Sequence, residues 1–263
     1  MRFLLIFIIA ILLTSCENVI NIDLNKAEKI IVAEGLIELG SNGWIRLSYS
    51  SDYFDGNKPE YIDNAIVTLS DNNGGSEQFK YKGNGMYLGN LLKGKPDKKY
   101  SLKITIGNKT YTAESTLFPP APIISVNFEE QLFQQPGDLT KSYSVILKFM
   151  DNPFIENHYM IQIQLNDTLE NNSYILLKDS YYIVNGTIEY KPLRHRFAQG
   201  DSLIIGLYSI DKETYKYYNQ LNDLKVSGMG ASSTPYNPLS NFGTHVMGYF
   251  AAYSSTFQAA VVK

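Results

Sequence analysis

Cysteine, histidine and surplus positive charge are all scarce in this chain, and each shortage removes a class of function. One cysteine in 263 residues excludes an intrachain disulfide and any cysteine-cluster zinc or iron–sulfur site. The three histidines, His158, His195 and His245, have no partner at metal-ligand spacing, so no metal is expected. With 23 Lys and Arg against 26 Asp and Glu, a net charge of −3 offers no general attraction for phosphate backbones, and no nucleic-acid partner is expected. There is no Gly-x-Ser-x-Gly elbow, phosphate-binding loop or Gly-x-Gly-x-x-Gly fingerprint. No catalytic residue and no cofactor is therefore assigned, although catalytic groups scattered over several strands would escape such a search.

Long apolar runs are equally scarce, the one exception being residues 3–13, preceded by Arg2. A helix of that length, rising about 1.5 Å per residue, covers roughly half the hydrocarbon core and fits the apolar region of a secretory signal peptide. Leu13-Thr14-Ser15-Cys16 resembles the lipobox of bacterial lipoproteins, in which the cysteine is lipidated and opens the mature chain. Residues 1–15 are then a leader, Cys16 the anchor and residues 16–28 a polar tether. The bland alternative is an ordinary signal peptide cut elsewhere. Acyl chains contribute about 0.8 kcal/mol per buried CH₂, so several of them hold a protein on a membrane durably. Glu17, rather than an aspartate, follows the cysteine and favours the outer membrane, with the side it faces left open.

What the sequence has in quantity is alternation. Short runs of period two, broken by Gly, Asn, Asp and Pro, predict strands near 30–38, 44–50, 65–70, 78–81, 86–91, 100–106 and 110–117. Seven strands in about ninety residues suggest an Ig-like β-sandwich over 29–118. Tyr100, just after the turn at 94–97, is either a tyrosine corner of such a sandwich or an ordinary edge tyrosine. Prolines 119, 120 and 122 cannot donate ladder hydrogen bonds, which places a stiff joint at 119–122. Strands near 124–129, 143–150, 159–165, 174–184, 187–197, 203–210 and 244–254 make 123–263 a second antiparallel β domain, sandwich or barrel-like, with Asn185-Gly186 as a hairpin turn. The period changes at 212–225, where Tyr215, Tyr218, Leu221 and Leu224 stand three apart behind Asp211, predicting one capped amphipathic helix. The fold class is mainly β. The Gly/Ser/Pro/Asn-rich stretch 226–242 exceeds usual connection lengths and is either functional or mobile.

Other residues support two readings each. Arg194-His195-Arg196 is a solvated stripe or an anion patch. The clusters at 52–56 and 71–74 are turns or weak calcium sites. The sequons at Asn108, Asn166, Asn171 and Asn185 read as turn residues in a bacterial chain. Twenty tyrosines either line cores or form an aromatic ligand platform, Tyr181, Tyr182, Tyr217 and Tyr236 being unplaced candidates.

The lipobox, Ile30-Ile31-Val32-Ala33-Glu34-Gly35, Asn64-Ala65-Ile66-Val67-Thr68-Leu69, Gly85-Met86-Tyr87, Tyr100-Ser101-Leu102 and the proline joint together resemble the Bacteroidetes lipoproteins grouped as domain-of-unknown-function family 4249. Asp151-Asn152-Pro153 with Asn157-His158-Tyr159 looks like that family's mid-chain motif. Asn237-Pro238, Ser240-Asn241, Gly248-Tyr249-Phe250 and Ala252-Tyr253-Ser254 look like its C-terminal signature. His158, where an aromatic ring is more usual, and Thr244, where glycine is, depart from the pattern. The resemblance implies an outer-membrane lipoprotein beside TonB-dependent transport systems and carries over no catalytic residue. Asp151, Asn157, Tyr159, Asn237, Pro238, Asn241 and Tyr253 are motif positions of unknown role. The resulting expectation is a non-catalytic binding or accessory subunit of a TonB-dependent uptake system, with a barrel as partner, the helix and 226–242 as contact surface, and the ligand unknown. The alternative is an envelope-anchored hydrolase acting on glycan or peptide through paired carboxylates such as Asp151 and Glu156.

Overall fold

A computed structural model describes residues 28–51, 59–135, 138–166, 168–169, 175–178, 183–184, 186–192, 196–227 and 236–263. The expectations on Leu13, Thr14, Ser15, Cys16, the cluster at 52–56, Asn171, Tyr181, Tyr182, Asn185, Arg194, His195 and most of 226–235 lie outside the described residues.

The alternating segments form strands β1 (Ile31–Glu38), β2 (Asn42–Tyr49), β3 (Glu60–Tyr61), β4 (Ile66–Asp71), β5 (Ser76–Gln78), β6 (Lys80–Gly83), β7 (Met86–Lys93), β8 (Lys98–Ile106) and β9 (Lys109–Leu117). Beyond the prolines come β10 (Ile123–Gln135), β11 (Asp138–Met150), β12 (His158–Leu165), β13 (Thr168–Leu169), β14 (Ile175–Lys178), β15 (Ile183–Val184), β16 (Thr187–Tyr190) and β17 (Ser202–Ile210). Helix α1 (Lys212–Ser227) and β18 (Val246–Val261) complete the described elements. Alternation is visible in the burial itself: Ile31, Ala33, Gly35 and Ile37 of β1 point inward, while Val32, Glu34, Leu36 and Glu38 point out. β15 and β16, on either side of the expected Asn185-Gly186 turn, pair antiparallel, with Val184 opposite Thr187.

The fold is mainly β, with open sheets in sandwich-like layers and no closed barrel among the described residues. A ten-stranded sheet runs β13-β12-β17-β18-β1-β2-β7-β6, with β14 beside β12 and β3 beside β2. Two four-stranded sheets, β10-β11-β16-β15 and β5-β4-β8-β9, supply the second layer. Two hydrophobic clusters result. One holds Ile37, Leu47, Leu69, Leu102 and Phe250, and the other Phe149, Ile188, Ile205, Leu207 and Val262.

The last strand belongs to both halves. β18 lies parallel to β1 from Val246 to Tyr253, the one parallel pairing among the described strands, and then antiparallel to β17 from Ser254 to Val261. Sequence placed 123–263 in one unit, yet Phe242, Val246, Phe250 and Ala252 fill the first cluster. At sixteen residues β18 is long enough to serve one core with its first half and the other with its second. The proline joint is docked rather than free: Ala121 N–H donates to Ser209 Oγ (3.2 Å), and Ala121 O accepts from Thr256 Oγ1 (2.8 Å).

Three buried side chains hold the first half by bonding to backbone. Tyr100 forms the tyrosine corner, its hydroxyl accepting from Lys95 N (2.8 Å) and donating to Lys93 O (3.2 Å). Tyr87 does the same between Ala65 N and Ile62 O, both at 3.0 Å. Glu77 accepts the N–H groups of Asn90 (2.9 Å), Leu91 (2.9 Å) and Leu92 (3.0 Å), tying β5 to β7. Substitution Glu77→Gln replaces one acceptor oxygen by an amide that faces N–H donors, and is expected to lower unfolding stability by about 2 kcal/mol in urea titration.

Candidate functional site

The inner face of the long sheet is covered by the smaller sheets, and its outer face is partly covered by α1. Asp211 starts that helix as expected: its Oδ1 accepts from Thr214 N (2.7 Å). Its Oδ2 reaches across to the first half, accepting from Ser115 Oγ (2.7 Å) and Thr116 N (3.0 Å). The cap therefore fixes where the helix lies on the sheet. Thr214, Tyr217, Tyr218 and Leu221 then come round on the packed side at helical spacing.

Between α1 and strands β1, β2 and β18 runs a groove of about 400 Å³ with an aromatic lining of Trp44, Tyr217, Tyr218, Tyr249 and Tyr253. The Tyr217 and Tyr249 rings stack at 4.8 Å and 29°. Burial raises the phenol pKa of both above the ordinary tyrosine value, with Glu34 adding to the effect at Tyr217 and Asp211 at Tyr249. Both remain neutral hydroxyls at physiological pH. The aromatic surface continues along the sheet: Tyr253 meets Tyr208 edge-on at 5.3 Å, and Tyr208 meets Phe257 at 5.8 Å. Gly206 lies under these rings, since a Cβ there would come within 2.9 Å of Phe257 and 3.0 Å of Tyr208. Phe257 is 59% exposed, so this row is open to solvent.

A second, charged cleft of about 630 Å³ opens at the start of α1, between β9 and the 151–158 turn. It contains Glu114, Glu156, Asp211 and Glu213, the kind of carboxylate cluster a hydrolase would use. Each is engaged otherwise. Glu114 pairs with Lys99 (2.5 Å) and Glu213 with Lys216 (2.7 Å). Glu156 pairs with Lys178 (2.5 Å) and Lys212 (3.4 Å), and Lys178 holds its carboxyl below the usual carboxylate range. A general acid needs a shift in the opposite direction.

Three of the motif positions are brought together and the others stand apart. Asp151 accepts from the Tyr159 hydroxyl (2.6 Å) and from Asn157 Nδ2 (3.2 Å), while Asn157 also donates to Asn152 O (2.7 Å) and Ile155 O (3.1 Å). These three close the 151–157 turn beside the proline joint. Asn241 donates to Glu114 O (3.0 Å) and Phe250 O (2.8 Å) and accepts from Phe250 N (3.1 Å), fastening the end of the 226–242 segment to β18. Tyr253 stands in the aromatic row, away from both. Asn237 is exposed and Pro238 half-buried. The 71–74 cluster is a turn, with Asp71 Oδ1 accepting from Asn73 N (2.8 Å) and Gly75 N (2.9 Å).

Tyr217, expected as a platform candidate, does line the groove, whereas Tyr236 is not among the groove's residues. Sequence reasoning did not single out Trp44, and gave Glu34 only as part of the motif at 30–35, not as a site residue. Their signal was the outward phase of β1 and β2, which becomes informative once β18 is known to lie beside β1. A comparison with curated proteins finds no match. The family model described as "Domain of unknown function (DUF4249)" matches residues 17–259, nearly the whole chain, and the protein belongs to that family.

Proposed function

We propose that this protein is a non-catalytic binding or accessory subunit of the cell envelope, tethered to the outer membrane through Cys16 and working beside a TonB-dependent barrel. The observation that carries the reading is the groove under α1 and the row of rings leading from it. This is a concave aromatic site opening onto an exposed sheet face, the usual make-up of a ligand or partner surface. The carboxylates of the neighbouring charged cleft are engaged in ion pairs and hydrogen bonds. A lipid anchor would confine the module to the plane of the transporter, so that a weak contact is assisted by high effective concentration.

The test is purification of the tagged protein from native membranes in mild detergent, with Cys16→Ala and Phe257→Ser variants alongside and mass spectrometry of what accompanies each. Stoichiometric recovery of a TonB-dependent barrel with the unaltered protein, and its loss from both variants, is expected. Recovery of the protein alone would overturn the accessory-subunit reading and turn attention to the hydrolase alternative.

A further inference from the structure

We propose that the groove between α1 and strands β1, β2 and β18 binds a small organic cation, an alkylammonium group about the size of choline. This rests on the binding reading of the same groove and names its ligand class.

Two features of the lining point to a cation. Aromatic rings attract an ammonium group over their faces through the ring quadrupole, most strongly when it is desolvated, and five rings line this groove. Glu34 is the only charged residue among the described lining, and its side chain makes no ion pair or hydrogen bond with any described residue. Arg46 stands opposite Glu34 in the β1–β2 register, but the two are not within ion-pair distance. The site thus carries a carboxylate with no ion-pair contact among the described residues beside an aromatic wall, the Arg46 guanidinium standing across the strand pair, and this is the complement of a cation with an apolar surface.

The remaining lining argues against a neutral polar ligand. A saccharide requires several donors and acceptors to replace its lost hydration, generally amides, carboxylates and guanidinium groups. Besides Glu34, the described lining offers the Trp44 indole N–H and tyrosine hydroxyls, and the rest is Gly35, Leu36, Leu221 and Ala251. Its volume of about 400 Å³ lies within the range of small-molecule sites.

Trp44 is the chain's single tryptophan and lines the groove, so the full-length protein carries its own reporter. Indole fluorescence is titrated with choline, with its neutral isostere 3,3-dimethyl-1-butanol and with maltose. Calorimetry of the same titrations detects any ligand that leaves the indole unaffected. Choline is expected to bind saturably, the neutral isostere about tenfold more weakly or less, and Glu34→Gln to weaken choline binding about five- to tenfold while leaving the melting temperature unchanged. Tyr217→Leu is expected to weaken choline further, its folding checked by circular dichroism.

Equal affinity for the isostere, an undiminished response in Glu34→Gln, or no saturable binding of choline up to its solubility limit would each overturn the proposal. Saturable maltose binding without choline binding would overturn the cation and leave the binding-module reading standing. Choline binding in a protein that captures no barrel would sustain the cation site and overturn the accessory-subunit reading.

Discussion

Substitution of Asp211 by alanine is expected to lower stability by about 3–4 kcal/mol, well beyond the roughly 1 kcal/mol of an ordinary helix cap. The carboxylate holds three donors from two parts of the chain: Thr214 N on the helix, and Ser115 Oγ and Thr116 N on β9. Ser115 in turn accepts from Ala252 N at 2.8 Å, so a hydrogen-bonded line runs from β18 through β9 to the start of α1. Removing the carboxylate leaves these donors in a site where Asp211 is 9% exposed and Ser115 2%, with little water to replace it. Ser115→Ala should cost less, since it spares the cap. The double variant should fall short of the sum of the two, because the residues are in direct contact. Urea titration of the four proteins measures this. A loss of about 1 kcal/mol in Asp211→Ala would reduce the residue to a simple cap.

That line of residues also marks where sequence reading reaches its limit. Asp211 was recognisable as a cap because Asp before a helical period has a local mechanism, the side-chain oxygen meeting an N–H three residues on. Its second partner is about a hundred residues away, and no local pattern announces it. The same division holds across the fold. Alternation located β1 and β18 as strands, and turn chemistry paired β15 with β16, since a two-residue turn dictates its own partner strands. Nothing local says that β18 lies parallel to β1. Yet two family motifs at opposite ends of the chain meet there: Ala33-Glu34-Gly35 stands opposite Gly248-Tyr249-Phe250, residue for residue. The groove is a product of that pairing, because it sets Glu34 beside Tyr249 and brings Leu36 beside Ala251. Tyr217 could be suspected from composition, whereas Glu34 becomes a candidate only when its strand has neighbours.

The parallel pairing makes a further large effect predictable, at Gly248. Its φ of +88° is a conformation L side chains rarely adopt, and a Cβ built there would lie 2.1 Å from Ala33 O and 2.9 Å from Ala33 C. Both obstacles are backbone atoms of the adjacent strand, so no rotamer change relieves them. Substitution Gly248→Ala must displace β18 from β1 or move Ala33 out of its ladder, and is expected to cost about 3–5 kcal/mol. Gly206→Ala is the informative comparison. Its Cβ would be similarly crowded, at 2.9 Å and 3.0 Å, but by the ring atoms of Phe257 and Tyr208 on the open face, which can turn away. That variant should lose about 1 kcal/mol and perturb the aromatic row alone. Hydrogen exchange separates the two mechanisms: Gly248→Ala should lose protection in both β1 and β18, which are more than two hundred residues apart in sequence, whereas Gly206→Ala should leave β1 protected. If Gly248→Ala unfolded at the same urea concentration as the unaltered protein, the first half of β18 could not pair with β1, and the groove built on that pairing would lose its floor.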